Sequence, residues 1–563
     1  MSLARLSLAA IGLTLLAAAF IAANAEPMGR IFWHLLTIHD LPAAWLMVAI
    51  LAFGYWIGMR QGGQGAWVAD LLAWIDRHRY AIAIILWGGL CAASVFVYHN
   101  HPLSMDEYAA VFQAKVFAAG ALHGQFPPEL MDYLIPRGFQ NHFLMVNRHT
   151  GAVVSAYWPG YSLLLAPFVA LDMPWACNPT LVTLSFLLIG RLARDVTPGT
   201  LAPGWAMLLA IASPAFSANG ITYYSMPAHL LFNLGFAWLL LAPSPGRLFL
   251  AGLVGGFALV LHNPFPHLVF ALPWIGWLMV RRDGRIRDLA WLVLGYAPVL
   301  AVLGAGWSLW QRDMLRTGAA VVAAASAAGE ASSMVERMTG LARGFLRFVQ
   351  WPNELIVYAR LGGLIKLWLW GAPLLLLLAW WGGRREPHVG IRLMGASALL
   401  TFFAYFMIRF DQGHGWGYRY FHSAWGVLPI LAAVGAVKFV AAPGEEVRWG
   451  RTLAALAVVS LVAANGLRLF QMNSFMLDHL AQSPPRASAG FELVMHNDRG
   501  YYGHDLIQND PWLRGNSIVV LANSKEDQLM LLARFRHRFQ APLTSLSNRF
   551  GITYTNRPVV AGK

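Results

Sequence analysis

The stretch that decides the fold is residues 80–120, which read YAIAIILWGGLCAASVFVYHNHPLSMDEYAAVFQAKVFAAG. Its first half is apolar and about long enough to cross a bilayer, which takes roughly 20 such residues. Its second half contains the pair Asp106-Glu107, and a long polar segment begins at this pair. Two adjacent carboxylates beside a membrane span are costly to bury, so this loop is the first place to look for chemistry.

The composition of the whole chain is that of a membrane protein. Of its 563 residues, 58% are hydrophobic and only 12% are charged, whereas soluble domains carry about 25% charged residues. The net charge of +14 would suggest nucleic acid in a soluble protein, but here Lys and Arg lie between apolar spans and orient the chain in a membrane. We therefore expect membrane lipids and no nucleic acid as partners. The two cysteines lie within or beside apolar spans, so we expect no disulfide framework, no metal and no cofactor.

The apolar pattern predicts an all-α polytopic membrane protein with about thirteen transmembrane helices. They lie at about 5–24, 42–59, 80–98, 177–194, 201–219, 227–243, 247–262, 267–281, 288–310, 362–382, 391–410, 423–441 and 452–470. This pattern divides the chain into four segments. They are the N-terminal helices at 1–98, a first large outer loop at 99–176, a helical core at 177–470, and a linker with a small domain at 471–563.

The distribution of basic residues orients these spans. With the N-terminus inside, the inner loops hold arginine clusters such as those at 191–194 and 281–287, while the short outer loops hold far fewer. The positive-inside rule then predicts that loop 99–176 lies on the outer side of the membrane. As the location we expect a bacterial inner membrane, with this loop facing the periplasm or exterior. The N-terminal run that ends at Ala25 also resembles a cleavable signal peptide, although we favour a retained anchor.

Several elements are expected outside the spans, on the outer side. Helical spacing of apolar residues predicts an amphipathic helix at 334–348, either in the membrane interface or as an ordinary surface helix. The short apolar segment 160–172 is interpreted as a juxtamembrane helix. In the C-terminal segment, strands at 517–521 and 552–554 and a basic helix at 526–539 predict a small α/β domain.

The first candidate site is the pair of carboxylates. Ser104 followed by Glu107 has the spacing of a capping box, which predicts a helix from Met105 to about Ala119 that stops at Gly120. This gives Glu107 a structural explanation, whereas Asp106 is not needed for the cap. We keep both as candidate catalytic residues and favour Asp106.

The second candidate site is the glycine-rich segment QGHGWGYRY at 412–420. Glycines permit close approach of the backbone, Arg419 and His414 offer positive charge, and Tyr418 offers a ring for a sugar or lipid. The segment therefore favours phosphate binding, although a plain turn with Arg419 reaching to the interface explains it as well. Arg148 is a further candidate for the phosphate, with a solvated turn as its alternative.

The stretch RHTGAVVSAYWPGY at 148–161 ends in three aromatic residues. It predicts a turn, a short strand and a Pro-Gly break into a helix, and Tyr157, Trp158 and Tyr161 are candidates for substrate binding. Histidines at span ends, such as His262 and His267, could hold a metal ion. However, no carboxylate or third ligand stands at a useful spacing.

At this point the residues resemble those of a known superfamily. An apolar span, a loop that opens with Asp-Glu, a helix that ends in Gly, and Y-x-P-G-Y-x-L-L-L-A-P at 157–167 together resemble GT-C integral-membrane glycosyltransferases. The nearest resemblance is to the protein O-mannosyltransferase and aminoarabinose-transferase branch. The match runs from Ser104 to about Arg194, and the plan of many spans extends it to about residue 470.

The resemblance implies a polyprenyl-phosphate-linked sugar as donor and a glycan, lipid or protein as acceptor. It implies that Asp106 acts as general base on the acceptor hydroxyl, with inversion at the sugar. Two departures bear on the branch and on metal use. Relatives often carry an Asp before a Pro in the next outer loop, where this chain has Met226, and the aminoarabinose branch has a Lys where this chain has Trp158.

Two other functions are compatible with a polytopic chain. A transporter or flippase for a lipid-linked or small polar substrate would show ionisable residues in mid-membrane and repeated halves, and the sequence indicates few of the former and none of the latter. A glycan polymerase or ligase of another fold would be indicated by a large outer loop late in the chain, rather than by an Asp-Glu pair in the first loop.

Overall fold

The chain is described by a computed structural model that divides into two compact units. The described residues are 3–24, 31–60, 66–281, 285–317, 349–440, 446–486, 490–499, 502–539 and 543–556. The first unit takes the described residues within 1–94, 178–300 and 331–471, and the second takes those within 95–177, 301–330 and 472–563. The helix predicted at 334–348 lies outside the described residues.

The helices follow the apolar pattern closely. In chain order, α1 to α24 are Leu3–Ala23, Ile31–Leu35, Leu41–Met59, Ala66–Arg77, Arg79–Phe96, Met105–Ala118, Met131–Leu134, Gly160–Ala170, Cys177–Val196, Ala202–Ile211, Pro214–Gly220, Met226–Leu240, Pro245–Val260, Phe265–Val280, Arg285–Val299, Trp307–Arg316, Glu354–Leu369, Leu375–Arg385, Val389–Ala404, His422–Trp425, Val427–Val440, Glu446–Val459, Asn465–Leu480 and Lys525–Phe535. Short π-helical segments at Leu36–Asp40, Leu300–Gly306 and Ser460–Ala464 join neighbouring helices into longer ones.

The expectation of an integral, all-α membrane part is confirmed. Every predicted span falls on helix, and seven described helices are long and apolar enough to cross a membrane, or eight if one pair bent by 56° counts as a single span. The remaining predicted spans are shorter helices or are interrupted, so length alone supports fewer than thirteen. The segment predicted as a juxtamembrane helix at 160–172 is the short apolar helix Gly160–Ala170.

Two of the predicted spans in the first unit are interrupted, at 212–213 and at 370–374, and the two breaks meet. Trp370 accepts a hydrogen bond at its carbonyl from the amide of Ala215 (2.9 Å), and Ser213 accepts one at its hydroxyl from the amide of Ala372 (2.8 Å). Irregular backbone at membrane depth is tolerated only where protein satisfies its polar groups. Each break therefore supplies partners that the other needs.

The second unit is built on two sheets. The first has three antiparallel strands in the order β1-β3-β2, with β1 Gly124–Gln125, β2 Leu144–Val146 and β3 Ala152–Ser155. The second has the order β5-β4-β7-β6, with β4 Glu492–His496, β5 Ser517–Leu521, β6 Thr544–Asn548 and β7 Gly551–Thr555. In this second sheet only the β4–β5 pair is parallel.

The first loop and the C-terminal segment share one hydrophobic core. Phe112 and Leu134 of the loop belong to the same buried cluster as Leu493, Ile518 and Leu531 of the C-terminal segment. The small α/β domain predicted at the C-terminus therefore exists, but it buries its apolar face against residues of the first loop. The two segments consequently lie on one side of a membrane.

Candidate active site

The helix Met105–Ala118 carries both carboxylates in its first turn. Ser104 is its N-cap in extended conformation, and Gly120 follows its end with φ +71°. The predicted helix is therefore confirmed, but the predicted capping box is not formed, since the Ser104 side chain makes no capping hydrogen bond. Instead, the amide of Met105 donates to Asp505 Oδ1 at 2.9 Å, so a carboxylate from the C-terminal segment supplies a partner at the helix terminus.

Glu107 is a buried structural residue. Its side chain is 0% exposed and accepts hydrogen bonds from Tyr98 Oη at 3.0 and 3.2 Å. It also accepts one from the amide of Leu103 at 2.5 Å. The carboxylate thus reaches back beyond the helix N-terminus, one residue further than a capping box requires. A buried charge held in this way stabilises the loop and has little surface for a substrate.

Asp106, one position earlier, has the opposite environment. Its side chain is partly exposed, and its Oδ1 accepts a hydrogen bond from Tyr157 Oη. This bond joins residues that are 51 positions apart, and both were candidates from the sequence. Asp106 therefore combines access to solvent with a fixed orientation, which is what a general base requires.

The position of Tyr157 is set by the end of strand β3. The amide of Ser155 donates to Gln113 Oε1 (3.0 Å), and its carbonyl accepts from Gln311 Nε2 (2.8 Å). Gln113 is itself fully buried and donates to the carbonyl of Leu122 at 3.0 Å. Two glutamines therefore clamp the backbone two residues before the tyrosine. Sequence reasoning missed both, because a buried glutamine has no motif.

The other two aromatic candidates differ in exposure. Trp158 is partly buried and packs against a cluster that includes Trp307 and Met314. Tyr161 is only 2% exposed at the start of the helix Gly160–Ala170. Trp158 retains surface for a ligand, whereas Tyr161 contributes chiefly to packing in this conformation.

Arg148 is engaged in an ion pair at the surface. Its Nη2 lies 2.6 Å from Asp132 Oδ1 and 2.7 Å from Gln140 Oε1. Burial works to raise the pKa of Asp132, but hydrogen bonds from two arginines and Gln140 outweigh it and lower the pKa to about 2. The second arginine is Arg137, at 2.8 Å. A phosphate would have to compete with this carboxylate for Arg148.

The glycine-rich segment belongs to the first unit and forms an irregular loop. Gly413, Gly415 and Gly417 all have positive φ, of +60°, +115° and +64°, a conformation that other residues rarely adopt. The alternation of glycines in the sequence therefore has a backbone cause. A Cβ atom on Gly415 would also come within 2.3 Å of Cδ of Arg419.

Arg419 is buried within this loop, with 6% of its surface exposed. Its guanidinium lies 4.1 Å from the centre of the Tyr224 ring and donates to the carbonyl of Gln412. The side chain of Gln412 accepts from the amide of Arg419 (3.0 Å) and donates to the carbonyl of Gly417 (2.9 Å). The Arg419 side chain is therefore held inside the loop by these contacts.

A second buried arginine, which sequence reasoning missed, lies near this loop. Arg360 is 1% exposed and donates to the carbonyls of Tyr405, Ile408 and Phe410 at 2.7–2.8 Å. Its guanidinium also lies 5.1 Å from the Tyr420 ring, which stacks on Tyr405. Positive charge is thus concentrated around the loop that carries His414, Tyr418 and Arg419. Burial raises the pKa of Tyr418 to about 12, so its phenol stays protonated.

The first unit also holds a buried ionic network that the sequence analysis did not anticipate. Asp40 is fully buried and lies 2.6 Å from Lys366 Nζ and 2.8 Å from Arg468 Nη2. The indole of Trp370 donates to the same carboxylate at 2.6 Å. Lys366 and Arg468 lie in predicted spans, so the expectation of few ionisable residues at membrane depth needs this correction. The only sequence signal was each charge alone within an apolar stretch.

No cluster of three or more His, Cys, Asp or Glu side chains that could hold a metal ion forms among the described residues. His267, one of the histidines considered, bonds instead to Asn233 (2.7 Å) and Tyr296 (2.6 Å). Both cysteines are free and buried.

Comparison with known proteins identifies the fold. No family model matches the chain, and no curated protein sequence matches it. Among solved structures, ArnT from Cupriavidus metallidurans bound to undecaprenyl phosphate matches with a TM-score of 0.51 and 12% identity, over 87% of this chain and 99% of that chain. The same protein in the apo state matches with a TM-score of 0.50, at the same identity and coverage. The chain therefore shares its fold with ArnT.

Proposed function

We propose that this chain is a membrane glycosyltransferase that uses a polyprenyl-phosphate-linked sugar. The fold it shares with ArnT, a protein with undecaprenyl phosphate bound in one of its structures, supports the donor class. The observation that carries the proposal is the contrast between the two neighbouring carboxylates. Asp106 is accessible and oriented by Tyr157, while Glu107 is buried and fully engaged.

In the proposed reaction the acceptor hydroxyl attacks the anomeric carbon of the donor sugar. Its proton passes to Asp106, the new glycosidic bond forms, and the bond between the sugar and the lipid phosphate breaks. A single displacement of this kind inverts the anomeric centre. The acceptor is a glycan, a lipid or a protein with a free hydroxyl.

The departing polyprenyl phosphate requires positive charge, because stabilisation of developing charge is a large part of catalysis. We assign this role to Arg419, with His414 as second group. Arg419 is held in place by Gln412 and Tyr224. Arg148 becomes the weaker candidate, since its charge is already paired with Asp132.

The test is a transfer assay with protein purified in detergent. A panel of polyprenyl-phosphate sugars is offered with a cell-envelope fraction as acceptor, and release of polyprenyl phosphate is measured. Wild-type protein should release it, and Asp106→Asn should not. A matched binding assay, thermal stabilisation by polyprenyl phosphate alone, needs no acceptor. Absence of both stabilisation and release with every donor would refute the proposal.

The same assay separates the rival function. A transporter or flippase moves its substrate between two compartments, and a detergent micelle has none. Covalent transfer in detergent therefore excludes transport as the sole activity. Stabilisation by polyprenyl phosphate without any transfer, combined with flipping of that lipid in proteoliposomes, would favour the flippase instead.

A further inference from the structure

A basic cavity lies in the first unit. None of its lining residues belongs to the glycine-rich loop that carries Arg419. The volume of the cavity is about 470 Å³. We call it the arginine cavity, and its charged or ionisable lining residues are Arg191, Arg194, Asp195, Arg247 and His388. Three helices contribute to it: the last turns of Cys177–Val196, the first turn of Pro245–Val260, and the N-cap of Val389–Ala404.

The charges that line this cavity do not cancel. Arg191 pairs with Asp195 at 2.9 Å, and Arg194 pairs with Asp76. Three guanidiniums thus face one lining carboxylate, or two carboxylates if Asp76 is included, which leaves at least one positive charge. The excess charge belongs to Arg247, which pairs with no carboxylate in the part of the chain that the structure describes.

Arg247 is nevertheless held in a fixed orientation. Its Nε donates to the carbonyl of Leu239 at 3.0 Å, and its Nη2 donates to the carbonyl of Trp238. These carbonyls belong to the last turn of the helix Met226–Leu240, where the helix leaves carbonyls short of partners. The Trp238 carbonyl also accepts a long hydrogen bond from the amide of Leu241 (3.4 Å). The guanidinium also lies 4.8 Å from the centre of the Trp238 ring. This arrangement leaves Nη1 to bind a ligand.

His388 adds a second donor. Its Nδ1 accepts a hydrogen bond from the amide of Gly390 at 3.1 Å. In the neutral ring the proton therefore resides on Nε2, which can donate. Leu241 and Ala242 supply an apolar wall beside these groups.

We propose that the arginine cavity binds a phosphate group. Arginine forks match phosphate oxygens, and each bond is strengthened by the charge. Basic pockets between transmembrane helices on the cytoplasmic side bind anionic headgroups. The sequence-based topology assigns the arginine cluster at 191–194 to an inner loop. The phosphate is either that of an anionic lipid or that of a soluble molecule, and the two sources differ in whether an acyl chain is required.

The experiment measures binding to the purified full-length protein in a zwitterionic detergent. The probes are phosphatidylglycerol in mixed micelles, diacylglycerol as the lipid without a phosphate, and glycerol 1-phosphate as the soluble phosphate. Thermal stabilisation gives the affinity, and native mass spectrometry counts the lipid retained. Arg247→Gln should weaken phosphate binding about tenfold, the loss expected for one charge-assisted hydrogen bond.

The matched control is Arg384→Gln. Arg384 also lies over a tryptophan, 5.0 Å from the ring of Trp380, but it does not line the cavity. The Arg384→Gln protein should bind all three probes as the wild type does. If Arg247→Gln does not fold, Arg191→Gln replaces it, because that side chain is 55% exposed.

Three outcomes are distinguished. Stabilisation by phosphatidylglycerol alone supports the site and identifies a lipid as the source of the phosphate. Equal stabilisation by glycerol 1-phosphate supports the site and shows that a soluble phosphate suffices. Binding of both phosphates no tighter than that of diacylglycerol, or equal losses in Arg247→Gln and Arg384→Gln, would overturn the proposal.

Discussion

The two adjacent carboxylates should respond to mutation in opposite ways. Asp106→Asn keeps the shape of a partly exposed side chain and can still accept a hydrogen bond from Tyr157. We expect it to fold normally and to lose activity by about 10²–10⁴-fold, the contribution of a general base. Glu107→Gln should instead lower stability, with a smaller effect on the rate per folded molecule.

The expected loss of stability follows from the contacts of Glu107. Its carboxylate accepts from Tyr98 and from the amide of Leu103 with no exposed surface. Hydrogen bonds to a charged group contribute about 1.5–3 kcal/mol each and neutral ones about 1 kcal/mol. A glutamine oxygen at the Oε2 position can still accept from Leu103 and, at 3.2 Å, from Tyr98. These bonds then go to a neutral group, and the shorter bond from Tyr98 to Oε1 (3.0 Å) is lost because an amide NH₂ takes that position. We therefore expect a loss of roughly 1–3 kcal/mol in the free energy of unfolding.

Two measurements on the same preparations separate the effects. Unfolding is followed by tryptophan fluorescence during a thermal ramp, and activity is the release of polyprenyl phosphate per folded molecule. The reasoning fails if Asp106→Asn retains more than about a tenth of the activity. It also fails if Glu107→Gln is as stable as the wild type and as inactive as Asp106→Asn.

The remaining predictions concern charge elsewhere in the chain. Arg419→Lys should keep the charge yet weaken donor binding by about 1–3 kcal/mol in a donor titration, and unchanged donor dependence in both Arg419→Lys and Arg419→Ala would place the phosphate elsewhere. Burial and the nearby arginine at position 486 lower the pKa of His101 and His496 to about 4 each. The stability that depends on these two neutral histidines is therefore complete above pH 6.5 and is lost as the pH falls towards 4. In His496→Gln, the decrease in the free energy of unfolding between these pH values should be smaller by on the order of 3 kcal/mol. An unchanged pH profile would contradict this. Asp40→Asn leaves two buried cations without their carboxylate and should lower the free energy of unfolding by roughly 3–5 kcal/mol. Asp195→Asn, in a surface pair, should lower it by at most about 1 kcal/mol. Equal shifts in the thermal unfolding of the two variants would show that burial does not set the difference.

Local signals predicted those parts of the fold that depend on neighbouring residues. The helix Met105–Ala118 was expected from the spacing of Ser104 and Glu107 and from Gly120, although the capping box itself does not form. Strand β5 was expected from a run of β-branched residues. Strand β4 was missed because all five of its residues are buried, so it lacks the alternation of a strand with one exposed face. Strand β6 was missed because it is a polar edge strand.

The parts that could not be predicted depend on contacts between distant residues. Asp40 is 326 residues from Lys366 and 428 from Arg468. No periodicity reports such a pairing, and each charge taken alone suggests only a costly position in an apolar segment. The bond between Asp106 and Tyr157 was missed for the same reason, although each residue was a candidate by itself.

The C-terminal segment acquires a role that its position in the sequence did not suggest. Asp505 accepts from the amide of Met105 at the terminus of the helix that carries Asp106. One turn later, Tyr108 Oη donates to the carbonyl of Asn509 (2.7 Å) and accepts from its amide (2.8 Å). A helix of this length is marginal by itself and takes its stability from packing. The C-terminal segment supplies these polar partners and a large share of the hydrophobic core. It therefore holds the proposed catalytic carboxylate in place, and the first loop and the C-terminal segment form one structure.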